Sequence, residues 1–327
     1  MLLCIKETRP SMTSSSGINV IAEIGCNHKG NMDIACEMIE IAARDCKVEA
    51  VKFQKRHNRS LLPTSVYDAP HPVPANSYGR TYGEHREFLE FTLPQHKELI
   101  EECQRKGIVY STSVWDVISA EEITSLRPEM IKVPSATNQN FEVQEFLCRN
   151  FDGEIHVSMG MTTRDEVDTC ISFYEKMGRA KDVVLYACTS GYPVPPSEVC
   201  LLEINALQQR FGDRVKAYGF SGHHEGVAID MAAAAIGIAG VKTHASSPFA
   251  YIERHFTLDR SWKGTDHAAS LEPDDLAKLR SNLDDVCSAV SYKYTDVLDI
   301  EVEQRRKLKW VDMSEALRRK ALLNKVS

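Results

Sequence analysis

The sequence predicts a single (β/α)8 barrel on three observations. Short apolar runs alternate eight times with longer amphipathic stretches. Polar and ionisable residues gather at the carboxyl ends of those runs, while the amino ends are plainer. The length, 327 residues, suits one barrel with modest extensions. A doubly wound sheet is the alternative topology, but only a barrel requires the chemistry to lie around one closed rim.

The elements follow in order. Residues 19–24 read as the first strand. Residues 32–46 carry apolar positions at helical spacing, Ile34, Met38, Ile41 and Ala42. Residues 50–54 form the second strand. Residues 55–91 then read as a long irregular stretch with Pro63, Pro70, Pro72, Pro74 and several aromatics. A loop of that length within a compact domain marks a lid or a substrate loop. Residues 93–106 read as a helix with Pro94 in its first turn. Strands at 108–111, 130–133, 154–158, 183–187 and 217–220 alternate with helices at 117–126, 141–150, 163–177, 197–211 and 227–238. Thr162 or Thr163 caps the third of those helices. The last strand is 240–243 or, better, 250–252, and a helix at 273–290 closes the count. Residues 1–17 form a polar tail without the apolar middle of a signal peptide. Residues 18–293 are the barrel, and residues 294–327 a charged, helix-prone tail with Arg305, Arg306, Arg318 and Arg319.

The net charge of −7 argues against a long basic face for nucleic acid. No apolar run reaches the ~18 residues of a membrane span. The ten cysteines are scattered without a Cys-x-x-Cys spacing. They read as reduced core thiols of a cytosolic protein, Cys36, Cys46, Cys103 and Cys148 among them.

Two strand ends stand out. The run from Val215 to Phe220 ends in Ser221, Gly222, His223, His224, Glu225 and Gly226. Tyr251 and Ile252 lead into Glu253, Arg254 and His255. A lone histidine is more often a hydrogen-bonded structural group. A pair on neighbouring barrel strands favours ligation of Mn²⁺, Fe²⁺ or Zn²⁺, with Glu23 near enough in type to hold a metal-bound water. His224 reads as a neighbour of the site, His28 as part of its closing loop, and His267 as orienting substrate. Lys52, Lys132, Thr112, Ser135, Ser158 and Ser221 make a ring of cations and hydroxyls. Such a ring suits a small anion, such as a phosphate ester that also carries a carboxylate.

These residues lie in segments that resemble one family. Residues 21–30, 51–54, 132–136, 158–161 and 188–193 resemble the N-acetylneuraminate (sialic acid) synthases. So do Ser221, Gly222 and His223, and the run 253–259 that continues through 262–267 to 271–273. The likeness holds in order from about residue 19 to 283. It implies a metal-dependent barrel enzyme that condenses phosphoenolpyruvate with N-acetylmannosamine or its 6-phosphate. The products would be N-acetylneuraminate, or its 9-phosphate, and inorganic phosphate. By matching positions, His223 and His255 hold Mn²⁺ or Mg²⁺ and, with Glu23 and Asp266, form the catalytic set. Lys52, Thr112, Lys132, Ser135, Ser158, Ser190 and Ser221 line the phosphoenolpyruvate site, and Gln54, Tyr192 and Asp266 hold the sugar. A homodimer is implied as well. A diamino hexose or mannose as acceptor, or a non-catalytic binding relative, are the other readings.

Three departures accompany the likeness. The family commonly carries a C-terminal antifreeze-like domain, where this chain has its charged tail. Thr137 stands where many members have an acidic residue. The stretch 238–249 is about ten residues longer than the family leads one to expect, and reads as an extended loop at the mouth of the site.

Overall fold

Eight parallel strands close into one barrel in chain order in the computed structural model, which describes residue 14 and residues 17–243 and 247–310. The strands are β1 (Asn19–Gly25), β2 (Ala50–Lys55), β3 (Val109–Val114), β4 (Met130–Val133), β5 (Glu154–Ser158), β6 (Val183–Cys188), β7 (Ala217–Gly222) and β8 (Phe249–His255). β8 returns to pair with β1, Glu23 standing beside His255.

Alternation along each strand sends one set of side chains outward and the other into the lumen. The outward set, with Val20, Ala22, Ile24, Val51, Phe53, Tyr110 and Val114, packs under the helices as the main core. The inward set begins as an apolar floor of Ile21, Ala50, Val109, Met130, Val184, Tyr186, Ala217 and Tyr251. Gly219 belongs to this lumen because a Cβ there would stand 2.6 Å from the Tyr186 ring. Above the floor the lumen turns ionic.

The main outer helices are α1 (Met32–Arg44), α5 (Leu93–Lys106), α6 (Val117–Ser125), α7 (Phe141–Asn150), α8 (Arg164–Lys176), α9 (Glu203–Phe211), α10 (Ala228–Thr243) and α11 (Pro273–Ala289). Sequence sets their ends. Asn31 Oδ1 accepts the Asp33 and Ile34 amides at the start of α1. Thr92 with Gln95, and Thr163 with Glu166, form capping boxes on α5 and α8. Gly107 ends α5 at φ +71°, the left-handed cap glycine adopts without strain.

The stretch 55–91 is less irregular than its prolines suggest. It folds into three short helices, α2 (Asn58–Leu61), α3 (Thr64–Tyr67) and α4 (Tyr82–Phe88). Residues 240–243 are helix, the last turn of α10, so the eighth strand is the one entered through Phe249. The expected mouth loop at 238–249 is corrected on the same ground. Ser247 donates to the Val215 carbonyl at 2.7 Å, and Tyr218 N–H to the Pro248 carbonyl at 2.8 Å. Both contacts lie where β7 and β8 begin, at the floor end, because a helix running back to start a parallel strand must arrive there. His244 in that stretch, the tail 1–13, and residues 311–327 lie outside the described residues.

The chain divides into two compact units, Met1–Ala289 and Val290–Ser327. The second contains α12 (Asp299–Leu308), which buries none of its residues. Among the described residues no helix is long and apolar enough to cross a membrane. The described cysteines are all free thiols.

Candidate functional site

The carboxyl end of the lumen opens into a cavity of about 230 Å³. Each strand delivers its inward residue there by the same alternation that built the floor. Lys52 and Gln54 come from β2, Ser113 from β3, Lys132 from β4, Ser158 from β5, Cys188 from β6, Ser221 from β7, and Glu253 and His255 from β8. Glu23, Ser135, Tyr192, His223 and Asp266 complete the sides.

Two buried ion pairs occupy the deep part. Lys52 pairs with Glu23 and donates to Ser113 Oγ at 2.9 Å. Lys132 donates to Glu253 at 2.6 Å, and Ser221 Oγ donates to the same carboxylate at 3.1 Å. Gln54 Nε2 donates to Glu23 at 2.9 Å, so Gln54 holds Glu23 in place within the cavity wall. Burial works against charge on Glu253, but Lys132 and Lys52 outweigh it and bring its pKa down to about 2. Burial pushes Glu23 the other way, above its ordinary value, and nearby Glu253 adds to the rise against Lys52. The two carboxylates therefore differ in proton affinity although they share one lumen.

The two histidines meet at the rim. Their ring centroids are 5.3 Å apart at a 47° tilt, and the Tyr192 ring lies against both. His223 Nδ1 donates to the Thr189 carbonyl at 2.9 Å, which leaves Nε2 as the basic nitrogen. His255 Nδ1 is buried without a hydrogen-bond partner, and Asp266 Oδ2 stands 3.9 Å away. Burial lowers the His255 pKa to about 3, against the pull of Asp266, so the ring is neutral. Burial would lower the His223 pKa too, but Cys188 and the Thr189 carbonyl outweigh it and raise the value. A divalent metal takes the neutral imidazole, so a cation competes with a proton at His223. The residues thus fit a cation held by two histidines. The fit is a pair only, since the described residues contain no cluster of three or more metal-donor side chains.

Most residues expected from sequence line this cavity, and the exceptions have structural reasons. Thr112 is corrected: it shares the outward face of β3 with Tyr110 and Val114, and Ser113 takes its place in the lumen. Ser190 stands just outside the cavity, lining a separate open cleft of about 1050 Å³ between α8 and α9. That larger cleft holds few ionisable groups, so the smaller ionic cavity is the better seat for chemistry. A Cβ on Gly160 would nonetheless contact the Ser190 hydroxyl and stand 2.7 Å from Ser135 Oγ, which shows how close the two hydroxyls come. His28 does not close the site; it stacks on Phe91 at 4.0 Å. His224 is fully buried behind it, where Arg254 donates to its Nε2 at 2.9 Å and also pairs with Asp230. His267 bonds Thr257 Oγ1 at 2.7 Å and lies outside the cavity.

Several lining residues escaped the sequence reading. Glu253 was legible in principle, since Tyr251, Glu253 and His255 alternate onto one face. Cys188 follows Tyr186 in the same way, and it is a cavity residue more than a core thiol. Arg56, Arg86 and Trp115 gave no local signal, because two of them come from the segment that had looked irregular.

A closed parallel barrel with an ionic lumen and a reactive rim defines an enzyme of the (β/α)8 class. The chain belongs to the NeuB family, whose model matches residues 38–294, and it is a transferase of that family. It is 33% identical over 289 residues to N-acetylneuraminate-9-phosphate synthase of Homo sapiens, covering 88% of this chain and 76% of that protein. It is 30% identical over 272 residues to N,N'-diacetyllegionaminic acid synthase of Campylobacter jejuni, covering 83% and 77%. Among solved structures, the sialic acid synthetase of Leptospira borgpetersenii, in complex with citrate, superposes with a TM-score of 0.71 at 25% identity. That match covers 90% of this chain and 93% of the other.

Proposed function

We propose that the protein condenses phosphoenolpyruvate with the open-chain aldehyde of N-acetylmannosamine 6-phosphate. The products are the 9-phosphate of N-acetylneuraminate and inorganic phosphate. The observation that carries this reading is the convergence of Lys52, Lys132, Ser135, Ser158 and Ser221 with His223, His255 and Asp266 on one cavity. The likeness to the human N-acetylneuraminate-9-phosphate synthase supports the phosphorylated acceptor.

Phosphoenolpyruvate is a weak carbon nucleophile carrying a phosphate and a carboxylate. Lys52 and Lys132 bring two buried ammonium groups to it, and Ser158 brings a hydroxyl that has no hydrogen-bond partner among the described residues. His223 and His255 would hold a divalent cation, Mn²⁺ or Mg²⁺, which would supply Lewis-acid polarisation to an aldehyde bound there. Asp266, beside His255, orients the acceptor hydroxyls. The enol carbon then bonds to the aldehyde carbon, whose oxygen becomes an alkoxide, and water adds at the neighbouring carbon that still carries the phosphate. Glu23, whose raised pKa lets it take up a proton, accepts one from that water, and the alkoxide is protonated in turn. The C–O bond to phosphate breaks, the added hydroxyl gives its proton to the leaving phosphate as the 2-keto group forms, and Lys52 and Lys132 stabilise the departing charge.

The test follows phosphate release from phosphoenolpyruvate with Mn²⁺ and a panel of sugars. The panel is N-acetylmannosamine, its 6-phosphate, mannose and a diacetamido hexose. Turnover with N-acetylmannosamine 6-phosphate, abolished by chelation and restored by Mn²⁺, is the expected result. Turnover with the diacetamido hexose alone would move the assignment to the chemistry named for the Campylobacter relative. No release with any sugar would sink the reading.

A further inference from the structure

The cavity has a second cationic wall past the ends of β2 and β3. Arg56 follows β2, Trp115 follows β3, and Arg86 reaches in from α4. The two guanidinium carbons lie 5.3 and 5.5 Å from the centre of the Trp115 ring. Arg56 is neutralised there. It pairs with Glu90 at 2.5 Å, and its amide N–H donates to the same carboxylate at 3.0 Å.

Arg86 is different. Lys52, Lys132 and Arg56 each have a carboxylate within ion-pair distance, but Arg86 has none among the described residues. Its Nε is buried without a hydrogen-bond partner, and so is Trp115 Nε1 on the same wall. Burial and the nearby charge of Arg56 both disfavour the Arg86 cation. A guanidinium stays charged nonetheless. Arg86 is half-buried, and a partly desolvated cation beside orphaned N–H donors is costly unless an anion completes it. A guanidinium fork with an indole N–H beside it suits the oxygens of a phosphate monoester.

Position identifies which phosphate. Phosphoenolpyruvate belongs with Lys52, Lys132, Ser135, Ser158 and Ser221. The acceptor's aldehyde belongs beside His223 and His255. An acceptor running across the mouth past Gln54 brings the far end of its carbon chain to the wall of Arg86 and Trp115. We infer that Arg86, with Trp115 Nε1, binds the phosphoryl group of a hexosamine 6-phosphate and makes the enzyme select the phosphorylated acceptor. This rests on the condensation proposed above. It adds the residues that choose between acceptors.

The test measures steady-state kinetics for wild type, Arg86→Ala and Arg86→Lys with N-acetylmannosamine 6-phosphate, N-acetylmannosamine and phosphoenolpyruvate. In Arg86→Ala, KM for the phosphorylated sugar should rise ~10–100-fold, the range lost with a charge-assisted pair. KM for phosphoenolpyruvate and kinetics with the unphosphorylated sugar should change less than about twofold, the scatter left when no charged bond is lost. Arg86→Lys keeps the charge without the fork and should recover part of the preference. An unchanged preference in Arg86→Ala would overturn the assignment, and so would an equal loss with both sugars or a rise confined to phosphoenolpyruvate. Should wild type turn over neither sugar, the condensation falls and binding decides this assignment separately. Calorimetric preference for the phosphorylated sugar that disappears in Arg86→Ala upholds it, and a preference that persists overturns it.

Discussion

At the level of single residues, the lumen works by pairing charges that burial would otherwise expel. Lys132 and Glu253 are each nearly inaccessible to solvent; burial pushes the Lys132 pKa down, and contact with Glu253 works against that fall. His223 is fixed by the Thr189 carbonyl, and its Nε2 is the nitrogen left for a cation. Replacing His223 with Ala should lower turnover by at least ~100-fold and weaken Mn²⁺ binding by a similar factor, read by calorimetric titration. Full turnover with unchanged Mn²⁺ affinity would refute the metal assignment. The histidine pair was legible in the sequence because His255 ends β8 and His223 directly follows β7. Thr112 misled because the alternation Tyr110, Thr112, Val114 was not followed through β3. Ser113, the inward residue, was one position away.

At the level of elements, the position of the rim depends on how α10 is held against β7 and β8. Arg254 is fully buried, pairs with Asp230 of α10, and donates to the Gly226 carbonyl at 2.9 Å. It thereby ties the loop after His223 to the strand that carries His255. On the opposite side of this packing, a Cβ on Gly237 of α10 would run into the Phe249 ring at the start of β8. Alanine is the better helix former by about 1 kcal/mol, yet overpacking a tight contact costs about 1–3 kcal/mol. Gly237→Ala should therefore lower the urea midpoint. An unchanged or higher midpoint would mean that α10 and β8 have slack between them. The sequence placed α10 correctly by its alanines, but it left the eighth strand open because two apolar runs followed in succession. Packing decided that point, since the first run had a helix face to fill.

For the whole molecule, the two ends of the barrel divide the labour. The carboxyl end keeps the reactive groups, while the amino end contains a stabilising network around Glu154. That carboxylate accepts from Tyr251 at 2.8 Å, bonds His156 Nε2 at 3.2 Å, and pairs with Lys216 at 2.9 Å. Burial alone would raise its pKa, but His156, Lys216 and Tyr251 outweigh that and bring it down to about 2. A folded value below the ordinary 4.5 means that the stabilisation is present above that pH and is lost as pH falls toward 2. After allowance for its partial exposure, the contribution is on the order of 1–2 kcal/mol. Glu154→Gln should show a shallower fall in Tm than wild type across this acid range. Parallel curves for the two proteins would discount the network.

By itself the sequence determined the barrel, the order of its elements, and the polar residues at its strand ends. Those follow from local periodicity and from the segments that resemble one family. Only the tertiary structure decided which neighbour in a polar run faces the lumen, that Glu253 sits between two lysines, and that Arg86 enters the cavity from a distant loop. The physical reason is that register and long-range packing set these contacts. A one-residue change of register reverses a side chain, and a loop residue's destination depends on surfaces that do not exist until the barrel has closed.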